Sequence, residues 1–335
     1  MPQRFPVIFD SSSSSVESLG ELQLIEQIRQ WLGPVAPLPP EGMGDDCAVL
    51  PVPSSASSSA VRQLLTTDSI SYGQHFNDSI SPEDAGAKLI KRNLSDIAAM
   101  GGTAGPALLN LLCGPDLSIN WLHAFVTGIR KSCECYKVLI VGGDMSELAP
   151  GHFSAALTLT GTCTHPPALR STAGVGDSIY VTGSLGGSIL GKHYRFEPRL
   201  AEGQWLARKA ECTAMMDLTD GLGKDLAAVL PSNSSAEIRI SALPVSQDAR
   251  QCSEADGVAA EAHAFSDGED YELVFTIDGE ADHSTFESEW RERFPELQIT
   301  KIGQIRPKRA EGIYIDAESG QALPWQSGFE HFKQE

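Results

Sequence analysis

Apolar positions along the chain switch between two periods. Leu24, Ile28, Trp31 and Leu32 recur at helical spacing after Ser18-Leu-Gly-Glu21, a capping-box pattern, and Gly33-Pro34 closes that run. Ser81-Pro82-Glu83-Asp84 carries a cap, a proline in the first turn and two acids where the helix dipole favours them. It predicts a helix running to about Met100, where Gly101-Gly102 ends it. Trp121, Leu122, Phe125, Val126 and Ile129 form a second helical stripe. Between these stripes lie shorter runs. Cys47–Leu50, Gln63–Thr67 and Ala107–Leu112 read as strands, and Val138–Val141 as a buried one. Phe153, Ala155, Leu157 and Leu159 alternate with smaller or polar residues, as in a half-exposed strand. Over His165–Gly176 the texture turns to Pro, Gly, Ser and Thr. A strand at Ser178–Thr182, helices near Gln204–Cys212 and Leu222–Leu230, and strands near Ile238, Glu272–Thr276 and Thr300–Ile302 follow. Two domains are predicted, 18–164 and 165–335, preceded by a Ser-rich disordered tail over 1–17. Helices and strands mix throughout, which favours an α+β or α/β enzyme.

Composition narrows the function classes. The 335 residues are 41% hydrophobic and carry a net charge of −19, a surface that repels phosphate backbones and argues against nucleic-acid binding. No run of about 18 apolar residues exists, so no membrane span is expected. The N-terminus lacks a signal-peptide pattern. The seven cysteines (Cys47, Cys113, Cys133, Cys135, Cys163, Cys212 and Cys252) have no CxxC spacing and read as reduced, mostly buried thiols of a cytoplasmic protein.

The acids at element ends carry the chemistry. Asp45 and Asp46 stand side by side in GMGDDCAVLP, a repulsion of about 4 kcal/mol at ~4 Å near a surface. Asp46 opens a strand; Asp68 and Asp144 close strands; Asp217 and Asp220 lie in MMDLTDGLGKDL; Asp96 sits late in the Pro82–Met100 helix, three residues after Asn93 on the same face. Any one of these is more simply a turn former or a cap. Six together, most beside Gly or Thr, exceed what turns require. Gathered carboxylates need cations, and an oxygen-only donor set with Thr66, Thr67 and Thr219 nearby selects hard ions such as Mg²⁺. Mg²⁺ held by aspartates is in turn a means of holding polyphosphates. The run Gly186-Gly-Ser-Ile-Leu-Gly191-Lys192-His193 nearly spells a P-loop. The position that must be Ser or Thr is His193, so a glycine-rich strand–helix turn is the default. EF-hand spacing and protein-kinase motifs are absent.

Six segments in order (GMGDDCAVL, TTDSISYGQHF, NLSDIAAMGG, LIVGGD, DLTDGLGKDL and DGEDYEL) resemble the thiamine-monophosphate kinase family, of the aminoimidazole ribonucleotide synthetase superfamily. The resemblance spans roughly Gly20 to Phe332. It implies an α+β, two-domain PurM-like fold. The N-terminal α+β domain would have a four-stranded sheet that closes a barrel with a second subunit, and the C-terminal domain would be α/β. It implies phosphorylation of thiamine monophosphate by ATP, with Mg²⁺, in a homodimer. The resemblance implies Mg²⁺ binding by Asp46, Asp68, Asp96, Asp144, Asp217 and Asp220, with Thr66 and Thr67. Gly143, Asp144, Arg170 and Thr219 would meet ATP, and His75, Glu269 and Phe329 the thiamine phosphate. Asp46, Asp220 and Arg170 are the expected catalytic residues, none of them a covalent nucleophile. Two departures stand out: Asp267 where the family commonly has Gly, and Phe196 where it usually has Pro. Two rivals stay open on the residues, another ATP-dependent synthetase of the superfamily and a non-catalytic acidic cation-binding module.

Overall fold

The computed structural model describes residues 38–40, 48–51, 61–114 and 116–325. Expectations for the 1–17 tail, the Leu24–Leu32 helix, Asp45, Asp46, Cys47 and Phe329 lie outside them. Two sheets organise the rest. The first has the order β1-β2-β5-β3-β4, from β1 (Ala48–Pro51), β2 (Arg62–Ser71), β3 (Thr103–Cys113), β4 (Ile140–Glu147) and β5 (Phe153–Cys163). Its pairs are antiparallel except β3–β4. Five strands stand where four were expected, the extra one being four residues long.

Alternation decides the faces. Leu64 and Ile70 of β2, Ala155, Leu157 and Leu159 of β5, and Ala107 and Leu111 of β3 point to one core. Two helices cover that face, α1 (Pro82–Ala99) and α2 (Ile119–Tyr136). Ser81 caps α1 by accepting from the Asp84 N–H, as the sequence pattern requires. The helices cross closely because Gly86 and Gly128 have no side chain: a Cβ on Gly86 would sit 2.1 Å from the Phe125 carbonyl oxygen. The run read as a buried strand over Val138–Val141 begins instead at Ile140, on the edge of the sheet. Leu139 and Val141 are each more than 60% exposed, because β4 has a neighbour on one side only.

The second sheet has the order β11-β8-β10-β6-β9-β7: β6 (Ser178–Thr182), β7 (Cys212–Asp217), β8 (Ser234–Ile238), β9 (Leu273–Ile277), β10 (Ile299–Pro307) and β11 (Tyr314–Asp316). All its pairs but β8–β11 are antiparallel, so this half is α+β and not the α/β that the resemblance implies; no two of its strands that are successive in sequence are neighbours. Every residue of β6 and β9 is buried, since both faces are covered. On one side lie Leu222 and Leu226 of α5 (Leu222–Val229) and Phe265 of α7 (Ala260–Ser266). On the other lie Phe286 and Trp290 of α8 (His283–Arg293) with Leu206 of α4 (Leu200–Leu206). Between α4 and α5, the helix expected to reach Cys212 stops at Leu206, and Cys212 opens β7. Short α3 (Lys192–Arg195) and α6 (Gln247–Asp256) complete the elements used below.

Helix α1 joins the two halves. Ala99 packs in the second sheet's core, and Gly203 of α4 comes so near that a Cβ there would meet the Ala98 carbonyl oxygen at 2.0 Å. The first sheet ends at Cys163 and the second begins at Ser178. Among the described residues no disulfide forms. Cys133 and Cys163 are buried, Cys113, Cys212 and Cys252 half-buried, and Cys135 exposed, so fewer thiols are buried than expected. No described helix is long and apolar enough to cross a membrane.

Candidate active site

A cleft of about 870 Å³ opens where the middle of β2, one face of α1, the end of β7 and the Asp267–Tyr271 loop meet; Asp68, expected to close its strand, lies inside β2, which continues to Ser71. From β2 come Thr66, Thr67 and Asp68; from α1, Arg92 and Asp96; from β7 and the turn after it, Asp217, Thr219 and Asp220. His75, Arg170 and Glu269 line it as well.

Each carboxylate is held by a specific device. The Thr66 hydroxyl donates to Asp96. Arg92 pairs with Asp68 through Nε at 3.2 Å and donates from Nη1 to the Ser69 carbonyl at 2.6 Å. The Asp68 N–H donates to Asn93 Oδ1 at 3.0 Å, so Asn93 and Asp96 do share the face of α1 that meets β2. Buried Asp217 accepts from Ser95 Oγ at 2.5 Å. The turn that presents Thr219 and Asp220 is pinned by buried Asp225, which accepts both their N–H groups at 2.8 and 2.9 Å. Lys224 stands 2.6 Å from Asp220.

The acids resist being charged together. Burial, and then the charges of Asp217 and Asp68, push Asp96 well above the ordinary carboxylate range, with the Thr66 hydrogen bond opposing. Burial likewise raises Asp68, against Arg92 and with help from Asp220 and Glu269. Asp225 rises well above its usual value through burial and the charge of Asp220. Glu269 goes the other way. Burial would raise it, but His193, Lys88 and Arg92 bring it down to about 2.

The Glu269 end is built on unusual backbone. Glu269 and Tyr271 take φ of 61° and 51°, a left-handed region that non-glycine residues seldom occupy. Both are locked by their N–H groups, Glu269 to the Thr219 carbonyl at 2.6 Å and Tyr271 to that of Leu218 at 2.8 Å. The glycine run that nearly spells a P-loop serves this loop. Gly186 donates its N–H to Asp270 at 3.1 Å, and Gly187 to Asp267 Oδ2 at 2.8 Å. These amides therefore hold the chain's own carboxylates in the place of a phosphate.

Comparison with known proteins now bears on this cleft. Residues 44–164 match the family model of the AIR synthase related protein N-terminal domain. A thiamine-monophosphate kinase of Rhodopirellula baltica is 37% identical over 79% of this chain and 83% of its own length. One of Haemophilus influenzae is 34% identical over 95% and 99%. The chain belongs to the thiamine-monophosphate kinase family. A solved structure of AaThiL complexed with AMPPCP and TMP superposes with a TM-score of 0.78 at 28% identity, covering 96% of this chain and all of that one.

Against the pattern that the family resemblance implies, the structure gathers Thr66, Thr67, Asp68, His75, Asp96, Arg170, Asp217, Thr219, Asp220 and Glu269 in one cleft. It does not bring Gly143 and Asp144 there. Gly143 lies opposite Leu109, Leu109 opposite Leu157, and Leu157 opposite Asp68, which puts β4 three strand spacings, roughly 14 Å, from β2. Gly143 has its own reason to lack a side chain: a Cβ would sit 1.7 Å from the Leu109 carbonyl oxygen. Asp144 accepts from Ser146 Oγ at 3.0 Å. Of the two departures from the family's kinase pattern, Asp267 binds the Gly187 amide and pairs with His263 at 3.2 Å. Phe196 stacks on Tyr271, with ring centroids 3.7 Å apart.

Sequence reasoning missed Lys88, Arg92, Ser95 and Asp225. The first three follow one another at four- and three-residue spacing on α1, in register with Asp96, and that periodicity was the available signal.

Proposed function

We infer that this chain phosphorylates thiamine monophosphate with ATP, giving thiamine diphosphate, and that the reaction runs in the acidic cleft by direct in-line transfer. The observation that carries this reading is the convergence of Asp68, Asp96, Asp217 and Asp220 with Arg170, His75 and Glu269 in one cleft.

The donor set fits a hard divalent ion. It is all oxygen, and its carboxylates are raised by burial and by one another, so a cation relieves an existing repulsion. Asp68, Asp96, Asp217 and Asp220, with Thr66 and Thr67, would hold Mg²⁺, which would supply positive charge against the phosphates. Among the described residues no three His, Cys, Asp or Glu side chains already converge as a ready-made cage.

The chain's own part is placement. A phosphate monoester has its second pKa near ~6, so the acceptor oxygen is an anion at neutral pH and needs little help from a base. Arg170, which lines the cleft, would offer a fork of donors to phosphate, and Thr219 sits on a turn fixed by Asp225. The Ser71 N–H donates to His75 Nδ1 at 3.1 Å, which leaves the proton of a neutral ring on Nε2 as a donor. Glu269, kept ionised, offers a carboxylate to the cationic ring of the acceptor. Catalysis comes from holding two anions in line. Asp46 as a further metal ligand and Phe329 as a ring-stacking partner extend the proposal to residues outside those described. Gly143 and Asp144 as ATP contacts, and a homodimer closed across the exposed first sheet, extend it to the β4 edge.

The test is formation of thiamine diphosphate from ATP, Mg²⁺ and thiamine monophosphate by the wild-type chain and by Asp220→Asn. Losing one carboxylate from the acidic cluster is expected to cut kcat by about 100-fold, the scale seen when one charge-stabilising group is removed. A variant within threefold of wild type refutes the assignment.

A further inference from the structure

We propose that Lys88 is a positioning residue for the acceptor, tying the two walls of its pocket together from behind. The inference rests on the reading of the cleft given above. Lys88 lies in α1 and is completely buried. Its ammonium reaches three separate segments. It donates to the His75 carbonyl oxygen at 2.9 Å, in the loop after β2. It stands 2.7 Å from Glu269 Oε1, in the loop before β9. It lies 2.9 Å from Nδ1 of buried His193 in α3. Two of these partners, His75 and Glu269, are the residues proposed to meet thiamine monophosphate, and they come from different halves of the molecule.

A buried ammonium is costly to keep, and burial lowers the pKa of Lys88. The cost is offset because the amine's donors find acceptors and the Glu269 charge lies adjacent. Lys88 thereby fixes three things at once. It keeps Glu269 ionised and oriented from a backbone with φ of 61°. It holds the His75 loop by its main chain, while the imidazole accepts from the Ser71 N–H and lines the cleft. It anchors α3 beside Glu269, whose Oε2 lies 3.4 Å from His193 Nδ1. Lys88 is not among the residues lining the cleft, so it acts through its partners and is not itself a contact. Arg92, one turn on, does the corresponding work at Asp68.

The separating observation is selectivity between the two substrates. In Lys88→Met the side chain keeps its length and loses its charge and donors. KM for thiamine monophosphate is expected to rise about tenfold or more, the effect of one lost buried charge-assisted contact, while KM for ATP stays within about twofold. Lys88→Arg keeps the charge beside Glu269, so it folds if Lys88→Met does not. Its planar head cannot meet three acceptors in different directions, and KM for thiamine monophosphate alone is expected to rise roughly threefold. The proposal is overturned if either folded variant binds thiamine monophosphate like the wild type, or if both KM values rise together. Wild-type activity is measured first: its absence would count against the kinase reading itself, whereas an active wild type with no substrate selectivity in the variants counts against Lys88 alone.

Discussion

Asp270 offers the sharpest test of the electrostatics behind the Glu269 loop. It is 1% exposed and accepts the Gly186 N–H with both oxygens, and Lys192 approaches only to 3.6 Å. Burial lifts it from an ordinary 3.8 to about 7, Lys192 and the Gly186 amide oppose this, and the charges of Glu272 and Asp267 add to it. A folded pKa above the unfolded one means that the native state holds the proton longer. Stability is therefore full below the unfolded value and is lost as pH rises to about 7. From 3.8 to 7 the loss is roughly 4 kcal/mol at 1.36 kcal/mol per pH unit, of which roughly 1.5 kcal/mol has already gone by pH 5. In Asp270→Asn the amide oxygen still accepts from Gly186, Lys192 keeps Glu272 at 2.9 Å, and the titration disappears. Urea unfolding of both proteins at about pH 5 and pH 8 reads the difference. The variant is expected to gain roughly 3 kcal/mol on the wild type between the two pH values, and other titrations cancel in that comparison. If the stability difference between the proteins is the same at both, Asp270 is not the protonated group inferred here.

Two further outcomes test the packing behind the site. Phe196→Ala removes a buried ring stacked on Tyr271 and is expected to cost roughly 3 kcal/mol, seen as a fall in Tm; a loss below about 1 kcal/mol would show that the stack does not support the loop. Gly86→Ala places a methyl 2.1 Å from the Phe125 carbonyl oxygen, so α1 must move from α2, with about 1–3 kcal/mol lost in thermal or chemical unfolding and a parallel fall in kcat/KM. Unchanged kcat/KM in the folded variant would show that the cleft tolerates movement of α1.

Parts of this were legible in the residues because the cause was local. Ser81-Pro82-Glu83-Asp84 names its helix start, since cap, proline and acids act on the backbone beside them. Ser178–Thr182 was bounded correctly by glycine and polar texture. What failed depended on distant chain. Whether an apolar run such as Val138–Val141 is covered is decided by its neighbours in the sheet, and β4 has only β3. Mixed helices and strands left α+β and α/β both open, and the α/β second half came from the family resemblance alone; strand order is a global property that the residues do not show. In the site, the aspartates were visible as residues that a turn alone would not need. Lys88 and Arg92 were not, because a cation in a helix ordinarily faces water, and only the carboxylates of other segments explain its burial.

One helix carries anchors for both ends of the cleft. From Lys88, behind the acceptor pocket, to Asp96, at the carboxylate end, is eight residues, or about 12 Å of α-helix. A helix wedged between the two halves does not stretch, so α1 fixes the spacing between the ammonium that holds the His75 and Glu269 loops and the carboxylate that holds Thr66. Neither wall can shift along the helix without carrying the other with it.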